Sequence, residues 1–538
     1  MSKKYSSSQF LKGAMVLTLA ALVTKVLSAV YRIPFQNIVG DIGFYIYQQV
    51  YPFYGIAIAL STYGFPVIIS KMVAEKLEGD DEEGAKRVAV TSFLFLCLVG
   101  VSWFLLVYFG AGIIARWMGD PLLKPLLQVI SLSFLLLAPL SVIRGYYQGK
   151  EDMVPTAVSQ VTEQVIRVAT ILIFSTILVT QGFSLYMTGK GALFGSITGG
   201  LGGLLVLLSF LTARRENLFS RKYLSLPDDY VQIWSRLFKN GTAICVSAML
   251  LVLLQFVDSL NVYSLLLSSG MEAESAKTWK GIYDRGQPFV QLGTVVATSI
   301  SLTIVPLVTN AYLKRRESLV REYSQLSLKI SITIGFAATL GIINIMVPTN
   351  TMLFENALGS KVIAVFCLSI FFSCLILTFA GIFQGIGRIY YPAFYIVTGI
   401  LVKYLGNACL IPMMGVMGAS VSTVGSLSII AIMMVIKLRK LFPIRFFTYS
   451  FYKTLLLSGA AMTIGLQGLL WIYDTLLDNG MPGRPLSVLF SLGGVCIGGV
   501  IFLIVFLRGN VLSREDISFL PFGSKWVWLM NKVQPNNK

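Results

Sequence analysis

Fourteen apolar runs separated by short polar connections leave this 538-residue chain few folds to choose from. They lie at about 11–37, 46–72, 89–115, 126–147, 156–180, 186–212, 241–267, 285–312, 325–347, 361–385, 391–411, 416–437, 452–473 and 487–507. Each can cross about 30 Å of hydrocarbon, which takes roughly 20 helical residues. Barrel strands alternate polar and apolar residues over about ten positions, whereas these runs are continuous, so helices remain. The expected fold is an all-α polytopic membrane protein, in keeping with 55% hydrophobic and only 13% charged residues.

The runs fall into two related halves. Gly145-Tyr146-Tyr147-Gln148-Gly149 returns as Gly381-Ile382-Phe383-Gln384-Gly385, 236 residues later and again at the end of an apolar run. The same offset relates Pro52 to Pro288 and Arg167 to Lys403. Duplicated membrane halves with binding groups at their interface allow one half to rock against the other around a central site, so transport is the leading expectation. The halves are read as residues 1–212 and 241–437, joined by a polar connection, 213–240, with helices thirteen and fourteen (438–507) and a tail (508–538) outside the repeat. The glycine-containing repeats precede Pro155 and Pro392 and read as stop, turn and restart, with Arg144 and Arg388 explained by loop charge.

Basic residues crowd the N-terminal segment, the even-numbered connections and the tail, against Lys124, Lys190, Lys277, Lys280, Lys361 and Arg484 at the odd ones. By the positive-inside rule both termini are expected in the cytoplasm. The net charge of +18 is absorbed by these loops and anionic lipid headgroups, and implies no nucleic acid. Within the connection, Tyr230, Ile233, Trp234 and Leu237 have helical spacing, which suits an amphipathic helix on the inner leaflet or a plain linker. Trp526 and Trp528 suit an interfacial anchor.

Charges inside hydrocarbon cost about 2.5 to 3.5 kcal/mol each on insertion scales, so those within the spans demand a reason. Lys25 lies near mid-depth of the first span, and Arg32 follows two turns later, making one cationic stripe; the alternatives are a buried carboxylate partner for Lys25 and snorkelling for Arg32. Arg285 opens the eighth span beside Asp284, at a cavity mouth or in a local surface pair. Glu163 and Arg167 are four apart in the fifth span and read as a structural pair. Lys403 repeats Arg167 with Gly399 where an acid would stand, and reads as the freer cation. Gln255, Asp258 and Asn261 form a polar face on the seventh span, with Asp258 either coupling a cation or neutralising Lys25 or Arg285. The surplus of internal cations favours an anionic substrate such as a phosphate or pyrophosphate.

Other chemistry finds little support. The six Cys have no CxxC spacing, there is no His, and no GxxxxGKS/T pattern occurs, so no metal, redox or nucleotide cofactor is expected. Transport would draw on an ion gradient or the membrane potential.

Arg144-Gly145-Tyr146-Tyr147-Gln148-Gly149 with Met153, Pro155, Thr156, Ser159, Gln160, Glu163, Gln164 and Arg167, together with Gly64-Phe65-Pro66, Ser70-Lys71 and Tyr283-Asp284-Arg285-Gly286-Gln287-Pro288, resembles the polysaccharide-transport branch of the multidrug/oligosaccharidyl-lipid/polysaccharide exporter superfamily, particularly the stage V sporulation protein B group and the MurJ-like lipid II flippases. The resemblance spans essentially the whole chain. It implies two lobes around a cationic cavity that receives the pyrophosphate and sugars of an undecaprenyl-linked precursor. Lys25 and Arg32 look like the family's two first-helix arginines, at a spacing one residue longer, and Arg285 is similar to its eighth-helix arginine. The family's second-helix arginine, expected a turn after Pro52, is replaced by Ile56, a departure that bears on which lipid-linked substrate is carried.

The expected function is translocation of a lipid-linked cell-wall sugar, foremost a peptidoglycan precursor, to the outer leaflet of a bacterial plasma membrane, with no covalent bond made or broken. Expected partners are that polyprenyl-linked glycan, membrane lipids and cell-wall synthesis enzymes, with the chain acting as a monomer. The competing readings are a cation-coupled drug exporter using Asp258, and a membrane enzyme that polymerises or transfers polyprenyl-linked sugars.

Overall fold

The computed structural model of the chain describes residues 7–223, 229–442, 448–478, 480–481, 483–509 and 511. Asp228, one end of the expected amphipathic segment, and the tail tryptophans Trp526 and Trp528 lie outside these residues. The described chain is helical throughout, without a strand: α1 (Ser7–Val30), α2 (Arg32–Ala59), α3 (Phe65–Glu78), α4 (Glu82–Trp117), α5 (Lys124–Ser131), α6 (Leu137–Gly149), α7 (Val154–Thr180), α8 (Leu185–Ala213), α9 (Tyr230–Arg236), α10 (Thr242–Ala248), α11 (Leu250–Ser268), α12 (Ala273–Asp284), α13 (Gly286–Gly293), α14 (Val295–Leu313), α15 (Glu317–Asn344), α16 (Met346–Phe354), α17 (Ser360–Cys367), α18 (Ser369–Gly385), α19 (Tyr390–Met414), α20 (Val416–Leu441), α21 (Tyr449–Asp478) and α22 (Gly483–Arg508).

Thirteen of its helical segments are long and apolar enough to cross a membrane, and the first, Met15–Glu78, is 64 residues long. That length accommodates two crossings at 1.5 Å per residue. The two expected first spans lie on either side of Gly40, whose backbone at φ 67° interrupts the helix where L side chains are strained. Read so, the described residues carry fourteen crossings, and the protein is a multi-pass membrane protein.

Packing groups the helices into two compact units. One comprises the chain up to Val295 together with Arg388–Ser426; the other comprises Val296–Gly387 and the chain from Leu427 onward. In the first unit the seventh and eleventh spans, α11 and α19, pack with the first six. In the second, α21 and α22 enclose a core of Phe451, Leu455, Met462, Leu466, Phe502 and Phe506 with Ile345.

The duplicated motif has a packing meaning beyond its turn. A Cβ on Gly145 would meet Ile69 Cβ at 2.7 Å, and one on Gly149 would meet Val73 Cγ1 at 2.6 Å and the Ser70 carbonyl at 2.8 Å. In the second unit a Cβ on Gly381 would meet Ser301 Oγ at 2.5 Å, and one on Gly385 would meet Val308 Cγ1 at 2.8 Å and the Val305 carbonyl at 3.2 Å. The glycines therefore let α6 seat on α3 and α18 seat on α14, the same close helix contact made twice. Stop and restart is half of their role; backbone approach is the other half.

The connection between the halves also packs on protein. Ile233 and Leu237 are buried, the Trp234 ring packs tilted against Phe95 with centroids 5.6 Å apart, and its Nε1 donates to the Thr91 carbonyl at 3.2 Å. Arg236 reaches Glu75 at 2.7 Å. The apolar face of α9 is thus turned onto α4, which answers the expectation of a helix lying on the leaflet.

Candidate substrate site

Three glycines of α8 bring the charged face of α7 into a dry contact. A Cβ on Gly199 would meet the Glu163 carbonyl at 2.6 Å and Arg167 Cβ at 2.8 Å, and one on Gly195 would meet the Arg167 carbonyl at 3.0 Å. Ser159 Oγ donates to the Gly203 carbonyl at 3.0 Å. Ser159, Glu163 and Arg167, spaced every four residues, are consequently all buried.

Glu163 and Arg167 do not pair with each other as expected. Arg144 Nη2 donates to Glu163 Oε2 at 2.7 Å, and the same guanidinium bonds Thr62 Oγ1 at 2.9 Å and Ser159 Oγ at 2.8 Å. Arg144 is fully buried, so loop charge does not account for it. The reason is geometric: α6 passes close enough to α7 to supply a charge-assisted partner, while Arg167 points to the tyrosine face of α2. Tyr54 hydroxyl donates to Glu163 Oε1 at 3.3 Å.

Arg167 enters a tyrosine cage. Its guanidinium carbon lies 5.0 Å from the centre of the Tyr31 ring, 4.9 Å from that of Tyr54 and 6.0 Å from that of Tyr51, and the Arg32 guanidinium carbon lies 4.5 Å from the same Tyr51 ring. Tyr47, Tyr51 and Tyr54 share one face of α2, and Tyr31 hydroxyl meets Tyr47 hydroxyl at 2.9 Å. Arg167 bonds Gln164 at 2.8 Å and Ser28 at 3.2 Å, yet its Nε and Nη1, like Arg32 Nε, are buried with no hydrogen-bond partner. Neither arginine has a carboxylate within ion-pair distance among the described residues. Arg32 is only 2% exposed, which excludes snorkelling. Cation–π contact offsets part of the burial, but two adjacent buried charges without a counter-ion fit a site for an anion.

Two of the remaining expected cations, Arg285 and Lys403, are neutralised locally. Arg285 grips Asp41 through Nη2 at 2.7 and 2.6 Å and Nε at 2.9 Å. It does so because a glycine, Gly281, lets α12 approach the Asp41 carbonyl, where an ideal Cβ would lie only 2.2 Å away. Asp284 does not pair with Arg285; it takes Lys280 at 2.7 Å. Lys403, expected to be free, bonds Asp258 at 2.8 Å and Thr423 at 2.6 Å. Asp258 further accepts from Tyr283 hydroxyl at 2.9 Å and Asn407 at 3.1 Å, so it neutralises Lys403 instead of Lys25 or Arg285. Lys25 is part-buried on α1.

Three features of the site escaped the sequence reading. The tyrosines of α2 lie within an apolar run and were given no role, although their spacing on one helix face was legible. Asp41 lies in the polar break between two apolar runs. Arg144 was hidden by its place in a repeat that ends a helix.

The family described as polysaccharide biosynthesis protein matches residues 10–312. The chain is 41% identical over 529 residues to uncharacterized membrane protein YabM of Bacillus subtilis (strain 168), covering 98% of this chain and 97% of that protein. It is 26% identical to lipid II flippase MurJ of the same organism, over 78% and 80% of the two chains, and 25% identical to its stage V sporulation protein B, over 81% and 84%. Among solved structures, an inward closed conformation of the lipid II flippase MurJ superposes with a TM-score of 0.67 at 15% identity, covering 91% of this chain and 98% of that one. An inward-facing MATE family multidrug transporter of the MOP superfamily gives 0.64 at 18% identity, covering 80% and 97%. The family match and the solved structures of the same helical fold agree with the resemblance in the motifs: the chain belongs to the polysaccharide biosynthesis protein family.

Proposed function

We propose that this transporter is a flippase that carries an undecaprenyl-diphosphate-linked cell-wall precursor, foremost lipid II, from the inner to the outer leaflet of a bacterial plasma membrane. The observation that carries the reading is the buried pair Arg32 and Arg167, caged by tyrosines and without a carboxylate in ion-pair range among the described residues. A diphosphate supplies the missing negative charge and enough acceptor oxygens for the unpaired guanidinium nitrogens. Tyrosine hydroxyls and ring faces around it suit the adjoining sugar. Similarity to a protein named as a lipid II flippase supports the same substrate class.

Both termini are cytoplasmic in this reading, the chain acts as a monomer with lipids and cell-wall enzymes around it, and no bond is made or broken. The drive is the membrane potential or a cation gradient: an anionic headgroup moved outward gains about 2.3 kcal/mol per charge per 100 mV. A drug exporter coupled through Asp258 is less well supported, because that carboxylate is engaged by Lys403, Tyr283 and Asn407.

Cells depleted of their lipid II flippase and supplied with this protein test the proposal. Restored growth supports it; failure at normal membrane levels, together with no flipping of labelled lipid II in proteoliposomes, overturns it. Alternating access is tested separately by cysteines at Leu254 and Gln287, both buried here, in a background without the six native Cys. Each should react with an impermeant thiol reagent from one side per conformational state, with substrate shifting the ratio between the sides; labelling from both sides unaffected by substrate overturns it.

A further inference from the structure

Among the described residues each buried cation outside the cage has its own acid: Arg285 has Asp41, Lys280 has Asp284, Lys403 has Asp258 and Arg144 has Glu163. Of these acids, Glu163 stands four residues before Arg167 on one helix face, within the reach of a direct i,i+4 pair. It is already connected to the cage, since the Tyr54 hydroxyl that donates to it at 3.3 Å belongs to a ring 4.9 Å from the Arg167 guanidinium.

We propose that Glu163 is a competing counter-ion for the cage, held off Arg167 by Arg144, so that binding of a diphosphate and the Arg144–Glu163 bond strengthen each other. The inference rests on the reading of Arg32 and Arg167 as a diphosphate site. A carboxylate cannot neutralise both arginines at full strength. Turned toward Arg167, Glu163 fills the charge that an anion would fill and leaves Arg144 as a buried, uncompensated cation. Turned toward Arg144, as here, it leaves Arg167 to the anion.

The arrangement also links the site to the backbone. Arg144 bonds Thr62 Oγ1 at 2.9 Å within Leu60–Gly64, a π-helical turn between α2 and α3. Such turns often mark functional positions, because their extra residue loosens the helix locally. Occupancy of the cage is thereby coupled, through Glu163 and Arg144, to the π-helical turn that follows α2, and linkage makes that coupling reciprocal.

Glu163 is thus a positioning residue whose removal has an unusual sign. In purified full-length protein titrated with farnesyl diphosphate, Glu163→Gln should bind about tenfold more tightly than wild type, in the lower part of the range for coupled sites. A merely structural glutamate predicts equal or weaker binding. In an Arg167→Gln background the Glu163→Gln change should have no effect, because the competition acts through Arg167. Should E163Q fail to accumulate, R144Q/E163Q, which leaves no lone arginine at that position, carries the same comparison. Equal or weaker binding by a folded glutamine variant overturns the competing role, whereas a wild-type protein that binds no farnesyl diphosphate overturns the diphosphate site beneath it.

Discussion

Arg144 and Glu163 meet at 2.7 Å, with side chains 0% and 4% exposed, across nineteen residues of sequence. That bond removes from Arg167 the acid its own helix offers, and leaves it facing Tyr31, Tyr51 and Tyr54 beside a second buried arginine. The charge left over is what an anionic substrate can use.

Neutralising either cage arginine should therefore abolish transport without removing the protein. Arg32→Gln and Arg167→Gln each lose a charge-assisted contact of about 1.5 to 3 kcal/mol, roughly a 10- to 100-fold loss of substrate affinity. Complementation of flippase-depleted cells, scored beside membrane protein level, measures this. Full complementation by both variants would return the arginines to a structural role.

The Asp258–Lys403 pair should behave as structure. Lys403→Met strands a carboxylate that is 1% exposed and should cost about 3 to 5 kcal/mol, whereas Lys403→Met with Asp258→Asn should recover most of the loss. Thermal unfolding in detergent reads both. A double variant no more stable than the single one contradicts the pairing.

Gly149 and Gly385 should respond alike to added bulk. Alanine at either places a Cβ 2.6 Å from Val73 Cγ1 or 2.8 Å from Val308 Cγ1, overpacking that costs about 1 to 3 kcal/mol. The melting temperature should fall for both, as it should not for Gly468→Ala, where no atom lies within 4 Å. Tolerance at one glycine and not the other would show that the repeat no longer packs equivalently.

At the end of α8, burial alone would raise the Glu216 carboxyl, but hydrogen bonds from Lys150 and Tyr146 outweigh it and hold it below its usual 4.5. A depressed carboxyl stabilises the fold above its ordinary value, and the contribution fades as pH falls through the lowered one. The hydrogen-exchange protection near Lys150, taken relative to the intrinsic rate at each pH, should consequently fall on acidification below about pH 4.5 in wild type, and fall less in Glu216→Gln. Identical pH profiles would exclude this contact as the cause.

The sequence by itself determined the membrane class, the fourteen crossings and the duplication. Each depends on local composition or on a repeat, and hydrocarbon enforces both strictly: a backbone in lipid must close its own hydrogen bonds, and apolar length sets the span. It also singled out Arg32, Arg167, Glu163, Asp258, Arg285 and Lys403 as charges needing a reason. Only tertiary structure decided which charge answers which. Spacing offered Glu163 to Arg167 and Asp284 to Arg285, while packing gave Glu163 to Arg144, Asp284 to Lys280, Arg285 to Asp41 and Lys403 to Asp258. An ion pair is settled by ångström distances between helices, and those distances depend on where glycines such as Gly199 and Gly281 admit a neighbouring backbone. No sequence separation encodes that, so the two arginines left without a carboxylate in ion-pair range among the described residues emerged from the subtraction that packing performs.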